Sequence, residues 1–296
     1  MPREASIELS VLNIALHDPH HSERYASLFN EIYRKKVKAH AHGDRSAILG
    51  RLYQLPESDE VCYYGEVFKF IELDTNEPWL NLNSNKEAEK NDLDEIIIPE
   101  HLKPHLKRFP FIFFPHDHRL YISIRTDESS IGVNVAKKIF ENFFCNIDIE
   151  LEYGVVEVTI EPDRNKVEEI FKLHRLDKLD IELVRPNPDD HEEDEKRLLE
   201  RLRTQNAKKM HVSLVATKHS TIEPDNETKI LVNVAASNGY VEAKGRDVHE
   251  KPVILATKES PLKIRVPYSK ETQTAYSALK DKAEELHSDK FWKRKY

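Results

Sequence analysis

The sequence predicts an α+β fold, with mixed or antiparallel sheets, helices packed on one face, and room for two subdomains. Three observations carry this. Short apolar runs alternate with turn residues between them, as antiparallel strands require. Stretches of helical period interrupt those runs without regular βα alternation. The one strand–helix–strand unit, strands at 155–160 and 180–184 around a helix at 163–174, is too short for a doubly wound sheet. With 296 residues the chain can build one large or two modest domains. We divide it into an N-terminal α+β domain (1–186), a connecting helix (187–208), and a C-terminal antiparallel sheet with a terminal helix (209–296).

Residues 5–16 alternate as a strand, ended by His17-Asp18-Pro19. Ser22 opens a helix in which Tyr25, Leu28, Phe29, Ile32 and Val37 recur near helical period. Strands follow at 47–55 and 63–71, then a polar loop, NLNSNKEAEKNDLDE. Runs at 109–114 and 120–124 flank Pro115-His116-Asp117-His118 as a hairpin. A helix over 129–144 carries Val133, Ala136, Ile139, Phe140 and Phe143 on one face. Beyond the strand–helix–strand unit, residues 185–190 turn the chain over. The helix at 191–206 begins acidic and ends basic, which suits the helix dipole. Its apolar stripe is only Leu198, Leu199 and Leu202, so it reads as a solvated connector. Strands are expected at 210–217, 229–236, 240–246, 253–257 and 262–266. A last helix over 269–288 shows Tyr276, Leu279, Ala283 and Leu286 at coiled-coil-like spacing, a stripe that reads first as core and second as an assembly seam.

Composition excludes several classes. Net charge is −8, so any nucleic-acid-binding surface has to be local. Cys62 and Cys145 fit no metal spacing, and MPREASIELS is no apolar leader; the chain reads as cytoplasmic and free of disulfides. Only seven glycines occur, with no Gly-rich phosphate loop, no Gly-x-Ser-x-Gly elbow and no His-Glu-x-x-His. No cofactor and no metal are expected.

One stretch looks catalytic. Pro224-Asp225, followed by Glu242-Ala243-Lys244, is the skeleton of a metal-dependent nuclease site. Asn238-Gly239 between two apolar runs signals a hairpin. That hairpin would set Glu242 opposite Val234 and strand Asp225 about 30 Å away along the ribbon. Pro-Asp also recurs at 162 and 188, and acidic-x-Lys at Asp194 and Glu227. We therefore expect no catalytic residues and keep Asp225, Glu242 and Lys244 as the nuclease alternative.

Histidines cluster at His17, His20 and His21; at His40 and His42; at His101 and His105; and at His116 and His118, none at a spacing that defines a metal site. Basic residues are more suggestive. Arg34, Lys35, Lys36 and Lys38 end the first helix, and Arg197, Arg201, Lys208 and Lys209 stripe the 191–206 helix and its exit. Lys290, Phe291, Trp292, Lys293, Arg294 and Lys295 form a basic-aromatic tail. Phosphates need such local positive density, although lysines at helix ends also serve the dipole. The first two groups are the candidate nucleic-acid contacts.

The runs FPFIFFPHDHRLYISI, VVEVTIEPDRNKVEEIFKL, DKLDIELVRPNP, VEAKGRD and ESPLKIRVPYSKETQTAYSALK, in that order, resemble the RexA proteins of phage exclusion systems. They are also similar to KwaB-type components of bacterial Kiwa defence and to other defence-island proteins, over about residues 109–288. The resemblance implies a cytoplasmic, dimeric α+β protein that senses infection, binds DNA and signals to an effector, often a membrane protein. It carries no residue-level signature. The expected function is thus an antiphage sensor or adaptor that binds double-stranded DNA or a phage protein, works as a homo-oligomer, and signals to a membrane effector encoded nearby. The alternatives are the nuclease and a non-catalytic subunit assembled through the 276–286 stripe.

Overall fold

The computed structural model describes residues 4–16, 21–55, 61–74, 77–94, 96–185 and 193–290, and one long strand organises most of them. In β1 (Glu4–Leu16), Ile7, Leu9 and Val11 face one core while Leu12, Ile14 and Leu16 face another. That parity is what a strand buried on both faces must have. After α1 (Ser22–Arg34) come β2 (Lys38–His42), β3 (Arg45–Leu55) and β4 (Cys62–Ile71). The polar loop holds only β5 (Leu80–Asn81), β6 (Lys86–Glu87) and α2 (Lys90–Asp94), none with a buried residue. The predicted hairpin is β7 (Lys107–Phe114) with β8 (Arg119–Arg125). Then follow α3 (Val133–Phe144), α4 (Ile147–Tyr153) and β9 (Val156–Ile160). The remaining elements are α5 (Arg164–Phe171), β10 (Arg175–Val184), α6 (Glu193–Thr204), β11 (Lys209–Val215), α7 (Asn226–Ser237), β12 (Gly239–Arg246), β13 (Pro252–Ala256), β14 (Ile264–Ser269) and α8 (Ala275–Ser288).

The chain is an α+β protein of antiparallel sheets. The large sheet runs β14-β1-β8-β7-β4-β3-β2, with β9 also paired to β1; the small one runs β11-β10-β12-β13. Helices cover one face of the small sheet, as expected. The large sheet is covered on both: α1 and α3 pack Phe29, Phe140 and Phe144 against Phe111 and Phe113, and α8 packs Leu279 and Ala283 against Ile112 and Phe114. The sheets do not follow the division at 186 and 208. β10 joins the small sheet, whereas β14 and α8 return to the large one.

Three expectations are corrected. Residues 229–236 are not a strand but part of α7. Ile230, Val232 and Val234 alternate, yet Ala235, Ala236 and Leu231 fill the intervening turns, so an apolar run this dense has no decisive period. Gly239 marks a close approach instead of a hairpin: a Cβ there would collide with the Glu182 carbonyl oxygen. The 191–206 helix is no solvated connector, since Leu198, Leu199 and Leu202 are buried. The 276–286 stripe is interior, with Leu279 and Ala283 fully buried in the chain, so its first reading, core, is the observed one.

The two sheets meet at a buried polar network. Arg119 is 1% exposed and Glu161 0%, with Nε and Oε1 3.0 Å apart. Arg119 Nη1 donates to Asn13 Oδ1 at 2.6 Å and to the Asp117 carbonyl at 3.1 Å. Glu161 Oε2 accepts from Ser237 Oγ at 2.9 Å, and Asn13 Nδ2 donates to Asn238 Oδ1 at 3.0 Å. Ser237 and Asn238 end α7, so this network pins the small sheet's helix onto β1 and β8.

Candidate functional site

Asp225 is the N-cap of α7, its carboxylate accepting the Thr228 amide at 2.8 Å. The Thr228 backbone and hydroxyl hold its carboxyl below the usual range. Glu242 and Lys244 lie elsewhere. Val241 and Ala243, which alternate with them along β12, are buried under the helices, so these two side chains project from the opposite face, beside exposed Ile254. The cross-strand neighbours of Glu242 are Asp180 and Ala256, in place of the predicted Val234. Tyr240 and then Lys244, 3.0 Å away, bond Glu242 and depress its pKa. The structure therefore does not gather Asp225, Glu242 and Lys244: the apparent motif is a helix cap plus a surface ion pair. Asp225→Ala should lower Tm by about 2–4 °C through loss of the cap, measured by calorimetry. An unchanged Tm would contradict that role.

Most of the predicted phosphate contacts are already engaged by the chain's own carboxylates. Arg34 grips Glu31 through two bonds, 3.0 and 2.6 Å, and Lys35 shares that carboxylate at 3.2 Å. Lys38 pairs with Glu72 at 2.9 Å, Lys208 with Glu157 at 2.8 Å and Lys209 with Glu182 at 3.2 Å. Lys38 belongs to β2, since α1 stops at Arg34 and Lys36 takes the left-handed conformation. Arg197 and Arg201 line a cavity of about 340 Å³ together with Asp225 and Glu227. Such pairs add little stability, but a polyanion has to displace them before using the cations. Residues 291–295 of the basic-aromatic tail, and His17, Asp18 and His20, lie outside the described residues.

A less balanced cluster sits at one end of the large sheet. A cleft of about 470 Å³ is lined there by Arg45, Lys69, Lys107 and Arg125, from β3, β4, β7 and β8. Lys69 and Lys107 are direct partners across the β4–β7 ladder. The other partner of Lys69 is Ala47, two residues from Arg45. Parity puts all three cations on the face that carries Val67 and Phe109. Like charges directly opposite one another disfavour a sheet, and the contacts these residues make do not cancel them. Lys107 Nζ donates to a carbonyl, that of Glu128, at 2.9 Å. Lys69 Nζ lies 5.5 Å from the centroid of the Phe109 ring. Arg45 and Arg125 reach Asp44 and Glu8 only at 3.9 Å. Burial first, then the charges of Arg45 and Lys107, push the Lys69 pKa down. Of the two carboxylates lining the cleft, Asp127 is held by Lys270 at 2.5 Å.

One wall of this cleft is a pinned loop. The Thr126 amide donates to the Ser129 carbonyl at 2.8 Å, their hydroxyls meet at 3.2 Å, and Ser129 Oγ donates to the Arg108 carbonyl at 3.3 Å. The loop thus gives Lys107, which donates to the Glu128 carbonyl, a fixed acceptor. Convergent cations in excess over carboxylates form an anion receptor, and a phosphate supplies the acceptor oxygens they lack. The sequence does not gather these four, because each comes from a different strand; only Lys107 stands in a basic stretch, with Lys103 and Arg108. The available signal was a cation at an inward position, Lys69 in phase with Val67 and Lys107 in phase with Phe109 and Phe111.

The histidines separate. His40 and His42 are exposed on β2, His116 is exposed, and His118 is buried, stacked on Tyr25 with centroids 4.6 Å apart. Among the described residues no three His, Cys, Asp or Glu side chains gather as for a metal ion, and no helix is long and apolar enough to cross a membrane. A family model described as a domain of unknown function (DUF4747) matches residues 5–284. No curated protein matches the chain.

Proposed function

The chain belongs to the DUF4747 family, and we propose that it is a reader of nucleic acid that works by binding, with the cleft of Arg45, Lys69, Lys107 and Arg125 holding backbone phosphates. The single observation behind this is the Lys69–Lys107 pair, two cations set face to face in a ladder that gains nothing from their charges. A polyanion turns that liability into affinity. The resemblance of residues 109–288 to phage-exclusion and defence proteins supplies the setting: a cytoplasmic sensor or adaptor whose bound state is passed to an effector, a membrane protein encoded nearby, with copies of the chain paired as a homo-oligomer. The net charge of −8 suits such a reader, since it suppresses binding everywhere except at the segregated cleft.

Binding of labelled DNA, single-stranded and duplex, titrated by anisotropy at several salt concentrations, tests the reading. Three or four neutralised phosphates predict a log–log salt slope of about −2 to −4. A slope near zero, or no binding at low salt, sinks it and leaves an acidic phage protein as the better trigger.

A further inference from the structure

Behind the basic cleft, on the α8 side of the large sheet, lies a second cavity of about 420 Å³. Both are lined by Lys107 and the pinned loop residues Thr126, Asp127, Glu128 and Ser129. The second differs in chemistry: Tyr64, Tyr268 and Tyr276 supply aromatic surface, Arg108 and Lys270 supply charge, and Glu66 lines it as well. Tyr64 and Tyr276 meet edge to face, centroids 4.8 Å apart.

Glu66 is the unusual member. It is 8% exposed, and its Oε1 accepts the Tyr64 hydroxyl at 2.6 Å. Its Oε2 receives no hydrogen bond, although it forms an ion pair with Arg51 Nε 3.4 Å away. A charge partner does not replace a hydrogen-bond donor, and a buried carboxylate oxygen that lacks one calls for an explanation.

We propose that this cavity binds an unpaired guanine base, with the attached phosphate in the adjoining basic cleft. A carboxylate only accepts hydrogen bonds. Guanine offers it two neighbouring donors, N1–H and the N2 amino group, on its Watson–Crick edge. Adenine and cytosine set a ring-nitrogen acceptor beside their amino group, and thymine flanks its one N–H with two carbonyls, so each would turn a lone pair toward Glu66. Splayed-out bases are typically read in this way, by their Watson–Crick edge and by stacking on aromatic side chains. The cavity falls within the usual range for small-ligand sites. An extruded guanine in a single strand and a free guanine nucleotide present the same chemistry.

The placement of the phosphate rests on the nucleic-acid reading above, so the experiment separates the two. Anisotropy at low salt compares a short thymidine oligonucleotide with the same oligonucleotide carrying one central deoxyguanosine, for wild type and Glu66→Gln, with GMP and TMP as competitors. Wild type should prefer the guanine-bearing strand by about tenfold, the scale of one well-made base contact. Glu66→Gln should lose that preference and keep its affinity for thymidine. Competition by GMP and not TMP marks a free-nucleotide site; preference without such competition marks a strand site. Equal affinity of wild type for both strands overturns the guanine pocket and leaves the cleft standing, and a preference that survives in Glu66→Gln removes Glu66 from it. Failure of both strands and of GMP to bind overturns both proposals.

Discussion

Arg119→Met is expected to destabilise the protein by about 3–5 kcal/mol, seen as a fall in the urea midpoint. The substitution keeps most of the apolar stem and removes the guanidinium that faces Glu161 at 3.0 Å. Glu161 is 0% exposed, so its carboxylate cannot recover hydration. Ser237 at 2.9 Å and Arg164 at 3.5 Å still reach its other oxygen, which favours the lower end of the range. Adding Glu161→Gln to Arg119→Met removes the stranded charge and should restore part of the loss, the sign of a coupled pair. Because the network holds the end of α7, hydrogen exchange should quicken first at the Val184 and Asn238 amides, whose bonds lie at this junction. A loss below about 1 kcal/mol would show that the pair does not secure the join between sheets.

The second large effect has an unusual sign. Lys107→Glu should weaken DNA binding about tenfold at low salt and raise Tm by about 1–3 °C. The mutant places a carboxylate directly opposite Lys69, converting a repulsive cross-strand pair into an attractive one. Adding Lys69→Glu makes the pair repulsive again. Tm should then fall back while binding drops by about 100-fold in total, with a shallower salt slope. Lys208→Glu serves as the comparison: Lys208 is matched by Glu157 at 2.8 Å, and its reversal should change binding little. A gain in stability with loss of binding is the mark of residues kept for a ligand rather than for the fold. If Lys107→Glu leaves affinity intact, the cleft is not the phosphate site.

Much of the fold was legible because strand parity and helical period are local. Residues 5–16, the hairpin around residues 115–118 and the helix carrying Ile139 and Phe140 all emerge close to where periodicity puts them. Periodicity alone does not reveal α7, because Ile230, Val232 and Val234 satisfy a strand's period while their neighbours satisfy a helix's. Asp225 three residues before Thr228 is the usable signal, a capping spacing that also fits the alternative nuclease skeleton.

Composition and periodicity suffice for the α+β class, for most strands and for the apolar positions that form the core. Strand pairing, and with it which charges are spent, emerges only in three dimensions. Arg34, Lys38 and Lys208 look available along the chain and are matched in space, whereas Lys69 looks isolated along the chain and meets Lys107 across a ladder. Periodicity is set by neighbours a few residues apart, but charge balance is a sum over everything within a few ångströms, and strands distant in sequence supply most of that sum.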